Sequence, residues 1–210
     1  MQKKLIVASF IVFVLLAGVP HISSASERAS SQSQILLTLS GLLKQLISLQ
    51  EELRLLKIEN AKKITLKSSY FSDRGSVGSS TYSFKIKPPK NWSHATLGTA
   101  HAFGRAKNDF EGPGITLVVW DSEDSLSTLV ADQITQIEDK SSGLVVDSKK
   151  VVTSAAEGWL VEYSSDDRYG QEYLFVDHDV VYLVSVGSKR DEWDIYKKIL
   201  TQSVDTFKVR

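Results

Sequence analysis

The sequence predicts an α+β sandwich in which strands group around two helices, behind an export leader and a long leucine-rich helix. Three observations predict it. Short runs of alternating apolar residues recur through the C-terminal two thirds, Tyr82, Phe84 and Ile86 being the clearest. Two stretches among them change to helical spacing, at Leu126–Ile137 and Ile195–Leu200. Ahead of both, apolar residues from Ile35 to Leu56 alternate spacings of four and three. A period of two marks a half-buried strand, and a period near 3.5 marks a helix.

Composition narrows the classes. Hydrophobic residues make up 42% of the 210, which excludes a disordered or collagen-like chain. Lys plus Arg number 25 and Asp plus Glu 25, so the basic excess of a nucleic-acid binder is missing and no nucleic-acid partner is expected. With no cysteine, disulfides, thiolate zinc sites, cysteine nucleophiles and a lipidated anchor are all excluded.

Residues 1–25 read as a signal peptide. Lys3 and Lys4 precede an apolar run from Leu5 to Val19. The run falls short of the roughly 20 residues of a membrane span, and Pro20 breaks a helix there. Ser23 and Ala25 supply the small side chains of a cleavage site after Ala25, with a site after Ser26 as the near alternative. The remainder is expected to be exported, to a periplasmic or extracellular location. A membrane is met only through the leader, if it stays uncleaved. Without Lys3 and Lys4 the chain keeps 23 basic and 25 acidic side chains, a net charge of about −2.

Residues 26–34, rich in Ser, Gln and Ala, read as a polar linker. Residues 35–63 read as a coiled-coil helix. Its seam is Ile35, Leu39, Leu42, Leu46, Leu49, Leu53 and Leu56, with Asn60 next in register. Leu36 and Leu43 widen the apolar stripe, and Ile47 and Leu55 lie further round. That width points to a higher oligomer, a partner helix, or docking onto the domain. Leu at both seam positions leaves the number of strands open.

Residues 64–210 read as one domain holding all four tryptophans. Residues 72–81, Gly- and Ser-rich, are expected to be a loop. Tyr82–Lys87 is a strand, stopped by Pro88 and Pro89. Strands at Ala100–Ala106 and Ile115–Trp120 flank a turn at Glu111-Gly112-Pro113-Gly114. Leu126, Leu129, Val130, Ile134 and Ile137 share one helical face. Asp121 or Ser122 is expected to cap this helix, with Glu123 and Asp124 in its first turn and Lys140 and Gly143 at its end. Leu144–Val152, broken at Lys149, Trp159–Tyr163, Glu172–Val176 and Val180–Val186 then form a meander, since their connections are too short for crossovers. Asp191 and Glu192 start a last helix with Ile195, Tyr196, Ile199 and Leu200 inward, and Phe207 lies just beyond it.

Two stretches carry a resemblance. Tyr82-Ser83-Phe84-Lys85-Ile86-Lys87-Pro88-Pro89-Lys90-Asn91-Trp92 resembles the opening strand, Pro and Trp of the PsbP-like proteins. Val181-Tyr182-Leu183, Trp193 and Val204-Asp205-Thr206-Phe207-Lys208-Val209 resemble the family's closing strand, Trp, helix and Phe. The resemblance covers residues 64–210 and no part of the coil. It implies the Mog1/PsbP fold: an antiparallel sheet of about six strands sandwiched by helices. The matching residues are aromatic and apolar, so no functional residue carries over. The chain departs from the photosynthetic members in lacking a cysteine to lipidate and in having a coil.

Candidate chemistry is sparse. His94 and His101, with Asp109 or Glu111, could form a transition-metal site, but a spacing of seven fits no zinc signature. Asp177-His178-Asp179 could hold a cation, and a hairpin turn explains it as well. Asp121-Ser122-Glu123-Asp124 lacks the glycine of a calcium loop. Neither a serine elbow nor a phosphate-binding glycine loop occurs. Asn91-Trp92-Ser93 is a formal glycosylation sequon. No catalytic residue, metal or cofactor is assigned. The expectation is a non-catalytic, exported binding or scaffold protein that self-associates or binds a protein partner through its coil. The alternatives are a metal- or small-ligand-dependent envelope enzyme or sensor, and an extrinsic photosystem II-type subunit.

Overall fold

The structure, a computed structural model, describes residues 25–105, 112–140, 144–153 and 157–210. Residues 1–24 of the expected leader lie outside them, while Ala25 opens the first helix. That helix, α1 (Ala25–Lys62), has 38 residues and a length of about 57 Å at 1.5 Å per residue. It takes in residues 26–34, expected as a linker. Polar Ser and Gln carry no apolar signal, yet neither residue type stops a helix that leucines continue. No helix among the described residues is long and apolar enough to cross a membrane.

The chain forms two compact units, divided between Leu55 and Leu56. In the first, α1 up to Leu55 is a helical arm with a bidentate Glu51–Arg54 pair at 2.8 and 2.9 Å. The second begins with the last turns of α1. There Ala61 is buried, and Lys57 Nζ lies 2.7 Å from Glu192 Oε1. The Lys63 and Ile64 N–H groups then close the helix on the Asn60 and Ala61 carbonyls.

Two sheets follow. Strands β1 (Phe71–Val77), β2 (Ser80–Ile86) and β10 (Lys208–Val209) form a three-stranded sheet in the order β1-β2-β10. The expected loop at 72–81 is therefore a hairpin. Its inward positions are Phe71, Asp73, Gly75 and Val77, so only two of four are apolar. Gly75 is required beneath Tyr82, since a β-carbon there would lie 2.8–2.9 Å from that ring. Gly78 takes the turn at φ +54°.

The larger sheet has seven antiparallel strands, where about six were expected. They are β3 (Ser93–Leu97), β4 (Ala100–Gly104), β5 (Gly114–Asp121), β6 (Leu144–Val152), β7 (Glu157–Ser164), β8 (Arg168–Asp177) and β9 (Val180–Lys189), in the order β3-β4-β5-β9-β8-β7-β6. The strand read at Tyr82–Lys87 belongs to the smaller sheet, and β3 is the strand that the sequence hid. The break in β6 falls between Val145 and Asp147, where the register shifts, instead of at Lys149.

Helix α2 (Leu126–Lys140) packs on one face of this sheet. Leu129, Val130 and Ile137 meet Val161, Leu174 and Val181 there. Its cap is Ser125, not Asp121 or Ser122: the Ser125 Oγ accepts the Thr128 N–H at 3.2 Å. Asp121 ends β5, and Ser122 accepts the Asp124 N–H within the turn. Glu123 and Asp124 therefore precede the helix. The opposite sheet face packs against the small sheet and α3 (Trp193–Val204). Glu192 stands at the N-cap without a capping side-chain bond, because its carboxylate holds Lys57. Phe207 is fully buried among Phe84, Phe175 and Tyr182, with ring centroids 5.1–6.1 Å away. Ser203 Oγ donates to the Lys87 carbonyl at 2.6 Å and Thr206 Oγ1 accepts the Lys87 N–H at 2.8 Å, fastening α3 to β2.

Candidate functional site

In the helical arm the apolar seam stays open. Ile35, Leu39, Leu46, Leu49, Leu53 and Leu56 are each about half exposed, and Leu42 is partly so. Leu36 and Leu43 beside them are more exposed still. Where α1 enters the domain, it does so through Ala61 and Lys57. At 100° per residue these lie roughly a quarter turn from Leu56 and Asn60. Leu56 accordingly keeps 49% of its surface.

In the domain, one polar cluster lies within aromatic packing. Hairpin β3–β4 pairs Thr96 with His101 and His94 with Phe103. His94 and His101 are thus diagonal neighbours on one sheet face, and the spacing of seven is the span across a tight hairpin. His94 Nε2 lies 3.3 Å from His101 Nδ1. Thr96 Oγ1 lies 3.2 Å from the first nitrogen and 3.5 Å from the second. On its other side His101 reaches Asp73 Oδ2 at 2.9 Å, and Tyr82 donates its hydroxyl to that same oxygen at 2.9 Å. The rings of Phe71 and Phe103 flank His94 at 4.5 and 4.8 Å, and Phe84 meets His101 at 5.4 Å.

Burial differs sharply along this chain of bonds. His101 is 3% exposed, Asp73 is partly buried, and His94 on the edge strand faces solvent. Burial pushes the Asp73 carboxyl up, but bonds from the Tyr82 hydroxyl and the Arg74 N–H, with His101, outweigh it and hold it below the usual carboxylate range. Burial and the Asp73 charge push Tyr82 up. The His94 imidazole is pushed down, by burial first and then by His101 and Lys67. An anionic Asp73 accepts a hydrogen bond, so the His101 proton is assigned to Nε2 and Nδ1 keeps its lone pair.

The sequence reading found His94 and His101 and missed Asp73 and Tyr82 as their partners. Asp73 was hidden in the expected loop. Only the alternation Phe71, Asp73, Gly75, Val77 could have revealed it. Asp109 and Glu111 lie outside the described residues. Among the described residues, no three or more His, Asp or Glu side chains are grouped as metal ligands. His178 is at a hairpin turn with φ +56° and pairs with Asp177 at 3.0 Å. Asn91 of the sequon is exposed, with φ +66°.

A second polar group, partly buried, lies under α2. Glu172 accepts from Gln133 Nε2 at 2.6 Å and from Ser185 Oγ at 3.4 Å. Burial pushes its carboxyl up against those two bonds. On the opposite face Tyr173 donates to Gln171 at 3.0 Å and is pushed up to about 12, chiefly by burial.

No family model and no curated protein matches the chain. Among solved structures, it is similar to cyanobacterial PsbP (CyanoP) from Synechocystis sp. PCC 6803, with a TM-score of 0.48 and 13% identity over 66% of this chain and 92% of that one. It is also similar to LpqN, involved in cell envelope biogenesis of Mycobacterium tuberculosis, with a TM-score of 0.47 and 7% identity over 68% of this chain and 92% of that one. The likeness is one of fold.

Proposed function

We propose that the protein is an exported, non-catalytic scaffold whose PsbP-like domain is presented on a self-associating coiled coil. One observation carries this reading: the seam from Ile35 to Leu56 keeps its four-three alternation and stays open to solvent. An apolar stripe of that period is self-complementary, because knobs from one helix fit holes on a copy of it. Burying such leucines between copies stabilises by roughly 25 cal/mol per Å² of apolar surface. The charge balance and the lack of cysteine fit an exported module that relies on its core alone.

Light scattering on residues 26–210 tests the proposal. The expected mass is a multiple of the monomer, and Leu46→Asp with Leu49→Asp returns it to the monomer. A wild-type chain that stays monomeric at high micromolar concentration removes self-association. Cross-linked pull-down from native envelopes, beside a version lacking 26–55, then asks whether a partner helix takes the seam instead.

A further inference from the structure

We propose that the β3–β4 hairpin carries a divalent transition-metal site formed by His94 Nε2, His101 Nδ1 and Thr96 Oγ1, with Asp73 and Tyr82 supporting it. The three atoms lie 3.2, 3.3 and 3.5 Å from one another. A tetrahedral zinc ion with bonds of about 2.0–2.1 Å sets its ligands about 3.3–3.4 Å apart. The three atoms therefore have the size of one face of such a tetrahedron, with the fourth corner toward solvent for water.

The surroundings match what a ligating histidine needs. Such a histidine donates its second ring N–H to a carboxylate or carbonyl, which fixes its tautomer and raises its basicity. His101 does so to Asp73, and Asp73 is fixed in turn by Tyr82. His101 is thereby held with its Nδ1 lone pair toward His94. The His94 and His101 rings are nearly parallel, 10° apart, so His94 must turn its nitrogen a little toward the ion. An exposed side chain on an edge strand has that freedom. The ion takes the place of the proton between the two nitrogens; that proton passes from His94 Nε2 to His94 Nδ1 by exchange with water, so the imidazole stays neutral and both ligating nitrogens offer a lone pair. Phe71, Phe84 and Phe103 exclude water from the inner side.

The donor set selects the ion. Two imidazoles suit zinc, copper(II) or nickel(II), whereas calcium and magnesium want several oxygens. Of the charges that reach His94, Asp73 favours a cation and Lys67 opposes it. With two strong ligands, binding is reversible and the site gains or loses its ion with the supply outside.

Calorimetric titration of the full, metal-free chain with zinc and with copper(II) tests the site. One ion per chain is expected, copper the tighter, and calcium in excess does not compete. His94→Gln alters an exposed residue, so the fold survives and affinity falls at least tenfold. Asp73→Asn weakens binding about 10–100-fold, the usual cost of losing such a support. His178→Gln leaves binding unchanged. Ring-nitrogen NMR places the ion on His94 Nε2 and His101 Nδ1. A wild-type chain that takes up neither ion, or a His94→Gln chain that binds like wild type, overturns the proposal. Wild-type binding by Asp73→Asn overturns the role given to Asp73.

Discussion

The helical arm and the domain use the same kinds of side chain to opposite ends. In the domain the large aromatic side chains are answered inside the unit: Phe84, Phe175 and Phe207 are fully buried, and even the end of α1 sinks Ala61 into the packing. In the arm Leu46, Leu49 and Leu53 have the same hydrophobic character and stay about half exposed. A folded unit rarely leaves a contiguous apolar surface without a use for it. Under the proposed function, stability belongs to the domain and association to the arm, so substitutions in each should change different measurements.

The contrast breaks most visibly at Phe207. Phe207→Ala empties a fully buried ring site and should cost about 3–5 kcal/mol in denaturant unfolding. Leu49→Ala, as apolar a loss, should shift the domain's unfolding by less than about 0.5 kcal/mol while lowering the associated mass in light scattering. If both changes lower stability equally, the arm is packed as tightly as the core and the division fails.

Smaller changes sharpen the contrast within the domain. Gly75→Ala pushes the Tyr82 ring off its seat and with it the bond to Asp73, a loss of about 1–3 kcal/mol that thermal unfolding would register. Ser125→Ala removes the cap of α2, at about 1 kcal/mol. Hydrogen exchange should then show faster opening in the first turn of α2, with α1 unchanged.

The smallest predicted effect carries a sign. Burial raises the Glu172 carboxyl above its unfolded value near 4.5. Between the two values the folded state binds more protons than the unfolded state, so stability falls as pH rises through that window. Glu172→Gln should therefore raise the melting temperature at pH 7 and lose its advantage at pH 4. A variant less stable at pH 7 would mean that the carboxylate earns its place through Gln133 and Ser185.

How far the sequence was legible follows from what each strand faces. The meander β7–β8–β9 is buried on both faces, and its apolar runs were plain. Helix α2 showed its face through Leu129, Val130 and Ile137, but its cap was misplaced. Asp121, Ser122 and Ser125 are all competent caps, and only the path of the chain leaving β5 selects the third. The two-residue β10 was not foreseen, and of the longer strands β1 and β3 were missed for want of an apolar pattern. β1 puts Asp73 and Gly75 at inward positions where a strand ordinarily has apolar residues. β3 is a sheet edge whose outward residues need no apolar signature. Strands β1 and β3 carry Asp73, His94 and Thr96, so the polar cluster was illegible to the same degree as its scaffold. A bond between Asp73 and His101, 28 residues apart, has no local signal in the chain.

The far edge of the large sheet has a consequence for handling the protein. Strand β6 exposes Leu144, Val146 and Val152 along an edge with no neighbour beyond it among the described residues. Such an edge invites strand-by-strand growth between molecules. Here the invitation is withdrawn. The register shift at Val146 interrupts the row of free N–H and C=O groups, and the Lys149–Asp147 ion pair at 2.6 Å and Lys150 keep charge beside it. A second molecule sliding along β6 would meet a broken ladder and charged side chains within a few residues. Concentrated solutions should stay clear at neutral pH, and neutralising both lysines, as in Lys149→Gln with Lys150→Gln, should make them turbid on storage.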